Sequence, residues 1–115
     1  MEPNCLFCKI IKGDIPAKII HHDENTLAFE DINPQAPHHV LIIPHKHIST
    51  INDLEDADNA LVGQMTQTAK TLAKKLNIDQ NGYRLVMNCN AGAGQTVFHI
   101  HLHLLGGRQM TWPPG

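Results

Sequence analysis

Apolar and polar positions along this chain fall into short strand-like runs at both ends and one long helical stretch between them. Lys18–His22 and Thr26–Asp31 read as two strands, with Asp23-Glu24-Asn25 as the turn between them. Val40, Leu41, Ile42 and Ile43 make His39–Pro44 a continuous apolar run, which suits a central buried strand. Leu54, Leu61, Met65, Leu72 and Leu76, with Ala57 and Ala69, recur at three- and four-residue spacing. They predict a helix from about Asp53 to Leu76, with Asn52 or Asp53 as its cap. Cys5–Lys12 predicts a short helix that Gly13 and Pro16 end. Arg84–Asn88 and Val97–Leu105 read as two further strands, and Asn33–Pro37 as a turn or extended loop, because each proline biases the residue before it away from helix. This order implies an α+β fold, an antiparallel sheet of about five strands covered by one long helix.

The 115 residues bound one domain, residues 1–115, large enough to fold around its own core. A net charge of −2 with no basic stripe gives no pointer to nucleic acid. No apolar run approaches the length of a membrane span. The first residues lack a basic start and apolar stretch, so a cytoplasmic protein is expected. Three cysteines, an odd number, argue against a disulfide framework.

The chemistry concentrates in His99-Ile100-His101-Leu102-His103. A strand repeats every two residues, so the three imidazoles share one face while Ile100, Leu102 and Leu104 share the other. A row of histidines can relay protons near neutrality, and a neutral imidazole is a nucleophile. Metal ligation is the competing reading, because imidazole is a common zinc ligand. The preceding segment, Asn88 to Val97, carries Gly92 and Gly94, which allow tight turns whose backbone N–H groups can cradle an anion. Gln95 and Thr96 add polar side chains beside the histidines. Cys5-Leu6-Phe7-Cys8 is a lone Cys-x-x-Cys, open to metal, redox or no function.

These motifs resemble the histidine triad superfamily. Gln95-Thr96-Val97 before the histidines, and the tail Gly106-Gly107-Arg108-Gln109-Met110-Thr111-Trp112-Pro113-Pro114-Gly115, are similar to its nucleotide-binding, purine nucleoside phosphoramidase branch. Ile15-Pro16-Ala17-Lys18, Asp31, Gln35-Ala36-Pro37 and Ile43-Pro44 with His47-Ile48 fit as well. The resemblance implies that His101 attacks the α-phosphorus of a purine nucleoside phosphoramidate, adenosine before guanosine, through a nucleotidyl-histidine intermediate. It places His103 against the phosphate oxygens, Thr96 near the scissile nitrogen or phosphate, Asn88 as a polar contact and the Val97 N–H as an oxyanion donor. It assigns Asp31 to the ribose hydroxyls. Leu6, Phe7, Ile10, Ile15, Phe29, Ile32 and Leu41 match the apolar positions around the base. Trp112 belongs to a tail that, in similar proteins, crosses a two-fold homodimer whose sheet continues between protomers. Some relatives hold structural zinc with such a cysteine pair and two histidines, which here implies Cys5, Cys8, His39 and His99, taking His99 out of catalysis. No organic cofactor is implied. Thr96 stands where the phosphoramidase branch usually has Ser, and Gln-Thr-Val also occurs among dinucleoside polyphosphate hydrolases. That activity and a nucleotide-binding interaction module stay open as alternatives.

Overall fold

The computed structural model describes residues 2–115. Helix α1 (Leu6–Lys12) starts where the Cys5 side chain accepts the Cys8 backbone N–H at 3.4 Å, and it stops at Gly13, whose φ of 85° only glycine adopts cheaply. Five strands follow: β1 (Ile19–His22), β2 (Thr26–Glu30), β3 (His38–Pro44), β4 (Tyr83–Val86) and β5 (Leu102–Gly106). They pair antiparallel throughout in the order β1-β2-β3-β5-β4. The β1–β2 turn is organised by Asp23, whose carboxylate accepts from the backbone N–H groups of Asn25 and Thr26, the Thr26 hydroxyl and the His21 ring.

Helix α2 (Asn59–Lys75) covers one face of the sheet. Its Met65, Ala69, Leu72 and Ala73 pack against Ala28, Val40, Ile42, Ile100, Leu102 and Leu104. The other face carries a second apolar cluster in which Phe7 and Ile10 of α1 meet Leu27, Phe29, Leu41 and Ile43. β3 is buried on both faces, as its unbroken apolar run requires. The α+β architecture expected from the sequence is therefore present in a single chain. No helix among the described residues is long and apolar enough to cross a membrane.

Three expected elements are shorter than the pattern suggested. The long helix begins at Asn59, not Asp53. Residues 50–58 form two short 3-10 turns instead, each closed by an acidic side chain that bonds back to the chain: Asp53 to Thr50, and Asp58 to Glu55. Such local bonds compete with helix formation. The histidine strand begins at Leu102, not Val97. Its partner β3 pairs Ile42 with Leu102 and ends at Pro44, so earlier residues have little strand left to face. The Ile100 N–H bonds instead to Ile48 O at 2.7 Å. Similarly, β4 ends at Val86, which leaves Asn88 half-buried in the following loop.

Candidate active site and metal cluster

The alternation survives the shortened strand. Ile100, Leu102 and Leu104 enter the α2-side core, and the three histidines project to the α1 side. Phe7 lies edge-on to both His99 and His101, with ring centroids 5.9 and 5.0 Å away, and edge-on to Phe29 at 5.5 Å. Leu41 faces His103 across β3 and β5.

Hydrogen-bond accounting assigns the ring protons. A carbonyl oxygen only accepts, so His101 Nδ1, 2.8 Å from His99 O, must donate. A neutral His101 then carries its lone pair on Nε2. Burial lowers the His101 pKa and favours that neutral form. His39 Nδ1 accepts the Gln35 backbone N–H at 3.0 Å, so its proton sits on Nε2. That Nε2–H faces His103 Nδ1 at 2.9 Å, with Asp31 Oδ2 3.5 Å away. His103 Nδ1 is thus an acceptor, and its Nε2 carries a proton. Burial pushes His103 down to about 4 and lowers His39, so both are neutral at pH 7. The site presents one nucleophilic nitrogen, on His101, beside one neutral N–H donor, on His103.

His99 serves differently. Its Nε2 donates to Pro44 O at 2.8 Å, which turns the Nδ1 lone pair toward the cysteines, and burial pushes its pKa down to about 4. Nδ1 lies 3.4 Å from Cys5 Sγ, 3.6 Å from Cys8 Sγ and 3.2 Å from His47 Nδ1. His47 Nδ1 is also 3.4 Å from Cys8 Sγ. One lone pair cannot satisfy three neighbours as hydrogen bonds. The spacing matches the edges of a metal tetrahedron, about 3.3–3.8 Å for Zn–N near 2.0–2.1 Å and Zn–S near 2.3 Å. The residues therefore fit a metal ion held by Cys5, Cys8, His47 and His99. The bond from His99 Nε2 to Pro44 O is the kind of outer contact that orients a ligating imidazole.

This corrects the expected ligand set. His39 belongs to the Asp31–His39–His103 chain, and its Nε2 is occupied by the proton donated to His103. His47, which carried no expected role, takes its place because the segment leaving β3 returns past the start of α1. The cysteine pair was the legible signal; which distant histidines complete it was not.

Other expected contacts divide as follows. Gln95 is 3% exposed and turned inward. Its Oε1 accepts the Asn90 N–H at 2.7 Å, and its Nε2 donates to Ser49 O and Val97 O at 2.8 and 3.1 Å. It holds the loop and is not available to a ligand. The expected cradle of N–H groups is also altered: those of Ala93, Gly94 and Gln95 bond within the loop. The Val97 N–H has no acceptor among the described residues. Thr96 is exposed and lines an open space with Leu6, Ser49 and Phe98. Phe7, Ile10, Phe29 and Leu41 are buried, with Ile15 packed against them, so they form the site's apolar backing. Leu6 and Ile32 are exposed. Trp112 is 83% exposed.

Comparison with known proteins gives the family. Residues 4–112 match the family model described as scavenger mRNA decapping enzyme C-term binding. An uncharacterized HIT-like protein of Synechocystis sp. is 49% identical over 115 residues, all of both chains. The purine nucleoside phosphoramidase of Escherichia coli is 46% identical over 110 residues, covering 96% of this chain and 92% of that one. The crystal structure of a HIT family hydrolase from Legionella pneumophila superposes with a TM-score of 0.96 at 62% identity, over 97% of this chain and 100% of the other. With a histidine row, its supporting shell and relatives that align end to end, this chain belongs to the histidine triad family of hydrolases.

Proposed function

We propose that this protein is a purine nucleoside phosphoramidase, cleaving the P–N bond of adenosine 5′-phosphoramidates ahead of their guanosine counterparts. The observation that carries the reading is the 2.8 Å bond from His101 Nδ1 to His99 O, which leaves Nε2 free to attack phosphorus. As the Nε2–P bond forms, the P–N bond breaks with its electron pair on nitrogen. That nitrogen takes up a proton from solvent handed on at the Thr96 hydroxyl and departs as the amine. Water then attacks phosphorus and gives up a proton to solvent, the Nε2–P bond breaks with its electron pair returning to Nε2, and the nucleoside monophosphate leaves His101 neutral with its proton on Nδ1. His103 Nε2–H and the Val97 N–H stabilise the charge that gathers on the phosphate oxygens. Asp31 accepts from the ribose hydroxyls, Asn88 adds a polar contact, and Ile32 flanks the base over the apolar backing.

The same reading includes a homodimer in which the partner's tail brings Trp112 to the site. It also includes zinc at the Cys5–Cys8–His47–His99 cluster. A site closed by four protein ligands stabilises structure and leaves no open position for substrate. Here it ties α1, and with it Phe7, to the histidine row. Thr96 keeps one second reading in view, hydrolysis of dinucleoside polyphosphates, where the leaving group is a nucleotide.

The test is to quench the reaction with adenosine 5′-phosphoramidate in alkaline denaturant and map the protein by mass spectrometry. The expected result is an adenylyl adduct on the peptide containing His101, absent from His101→Ala. Turnover without any adduct, and undiminished in His101→Ala, would reject the mechanism.

A further inference from the structure

A cavity of about 730 Å³ opens beside Thr96, bounded by Glu2, Leu6, Ser49 and Phe98 and floored by Cys5 and His47. Its volume lies in the range of small-molecule sites. Leu6 and Phe98 are two of the few large apolar side chains that the fold leaves exposed, and both face this space. Glu2 supplies a carboxylate at its rim, and no Lys or Arg lines it among the described residues. The ends of the histidine row are chemically distinct. Asp31 and His39 stand at the His103 end, whereas Thr96 and this cavity stand at the His99 end.

From this arrangement we infer that the cavity receives the leaving group and selects amines that carry a positive charge on an alkyl or aryl body. The inference rests on the phosphoramidase reading and sharpens it. With Asp31 holding the nucleoside at one end, the group expelled past Thr96 enters a space with two apolar walls and one negative charge. An alkyl or aryl chain covers Leu6 and Phe98, and a distal ammonium faces Glu2. A carboxylate or a polyphosphate in the same place meets Glu2 with like charge. Opposite unit charges about 7 Å apart near solvent favour binding by roughly three- to eightfold, and like charges oppose it by the same factor. The preference is therefore electrostatic and weakens with salt. It also turns the site away from dinucleoside polyphosphates, whose leaving group is anionic.

The test compares kcat/KM for two adenosine 5′-phosphoramidates of equal length, one made from butane-1,4-diamine and one from 4-aminobutanoate, at low and high ionic strength. The wild type is expected to prefer the ammonium-bearing substrate by at least about fivefold at low salt, with the ratio shrinking as salt is added. Glu2→Gln is expected to bring the ratio close to one, and Glu2→Lys to reverse it. A ratio that is unchanged across the three proteins would overturn the inference while leaving the phosphoramidase reading intact. Failure of the wild type to release AMP from unsubstituted adenosine 5′-phosphoramidate would overturn both.

Discussion

Gln95→Ala tests whether the residue beside Thr96 acts on substrate or on the loop. The truncation removes three hydrogen bonds, those to Asn90 N, Ser49 O and Val97 O. Each such bond contributes about 1 kcal/mol net, and a buried group left unpaired costs about 1–3 kcal/mol. The site lies under a surface loop, so water can reach part of the gap, and the lower end of that range applies to each group. The sum is about 3 kcal/mol. For a domain of this size that lowers Tm by about 12 °C, taking about 4 °C per kcal/mol. The Val97 carbonyl is one of the anchored groups, so the Thr96–Val97 backbone loses its fixed position and kcat falls by about tenfold or more. Gln95→Glu does not rescue either effect, because it sets a carboxylate against two carbonyl oxygens. Thermal unfolding by circular dichroism and AMP-release kinetics read the two effects. A Gln95→Ala protein with a Tm within about 3 °C of wild type and a raised KM would refute the reasoning, because that is the behaviour of a side chain that binds substrate directly.

Three further outcomes are expected. His101 is active as the neutral imidazole, and burial lowers its pKa, so kcat/KM should stay level as pH falls through about 6.5 and decline only below it; a profile already halved at pH 6.5 would contradict this. Burial alone would raise the Asp23 carboxyl, but bonds from His21, Asn25 and Thr26 outweigh it and hold the pKa far below the usual carboxylate range. A depressed folded-state pKa contributes stability above the unfolded value of about 3.9 that is lost as pH falls below it, so the advantage of wild type over Asp23→Asn in denaturant unfolding should be largest above about pH 5 and shrink towards pH 2. Metal analysis of purified protein should give about one zinc per chain. Cys8→Ser and His47→Ala should abolish it, whereas His39→Ala should retain it; the reverse pattern for the two histidines would show the cluster to be wrongly assembled.

The sequence made the fold class and the histidine face legible because both rest on local periodicity. Alternation puts Ile100, Leu102 and Leu104 into the core whether or not the ladder continues, so the histidines share a side even though only His103 lies in β5. Where the ladder starts depends on β3 ending at Pro44, a fact of pairing that the histidine segment does not carry. The helix start was misplaced for a local reason. Leu54 and Ala57 fit the apolar spacing, but the carboxylates of Asp53 and Asp58 beside them bond back to residues 50 and 55 and close separate turns. Gln95 shows a second limit: a polar residue next to a histidine row reads as a substrate contact from sequence whether it points out or, as here, in. His39 and His47 show the limit most plainly: β3–β5 pairing brings His39 to His103, whereas His47, just beyond β3, meets the cysteines beside α1.

The central claim is that His101 Nε2 is the nucleophile of a P–N hydrolase. The most direct measurement is AMP release from adenosine 5′-phosphoramidate by wild type and His101→Ala, compared at equal AMP-binding capacity. The account predicts steady turnover by the wild type and a loss of at least about a thousandfold in the variant, the scale expected when a covalent nucleophile is removed. A variant that keeps a tenth or more of the wild-type rate, or a wild type that binds AMP yet leaves the P–N bond intact, would contradict it.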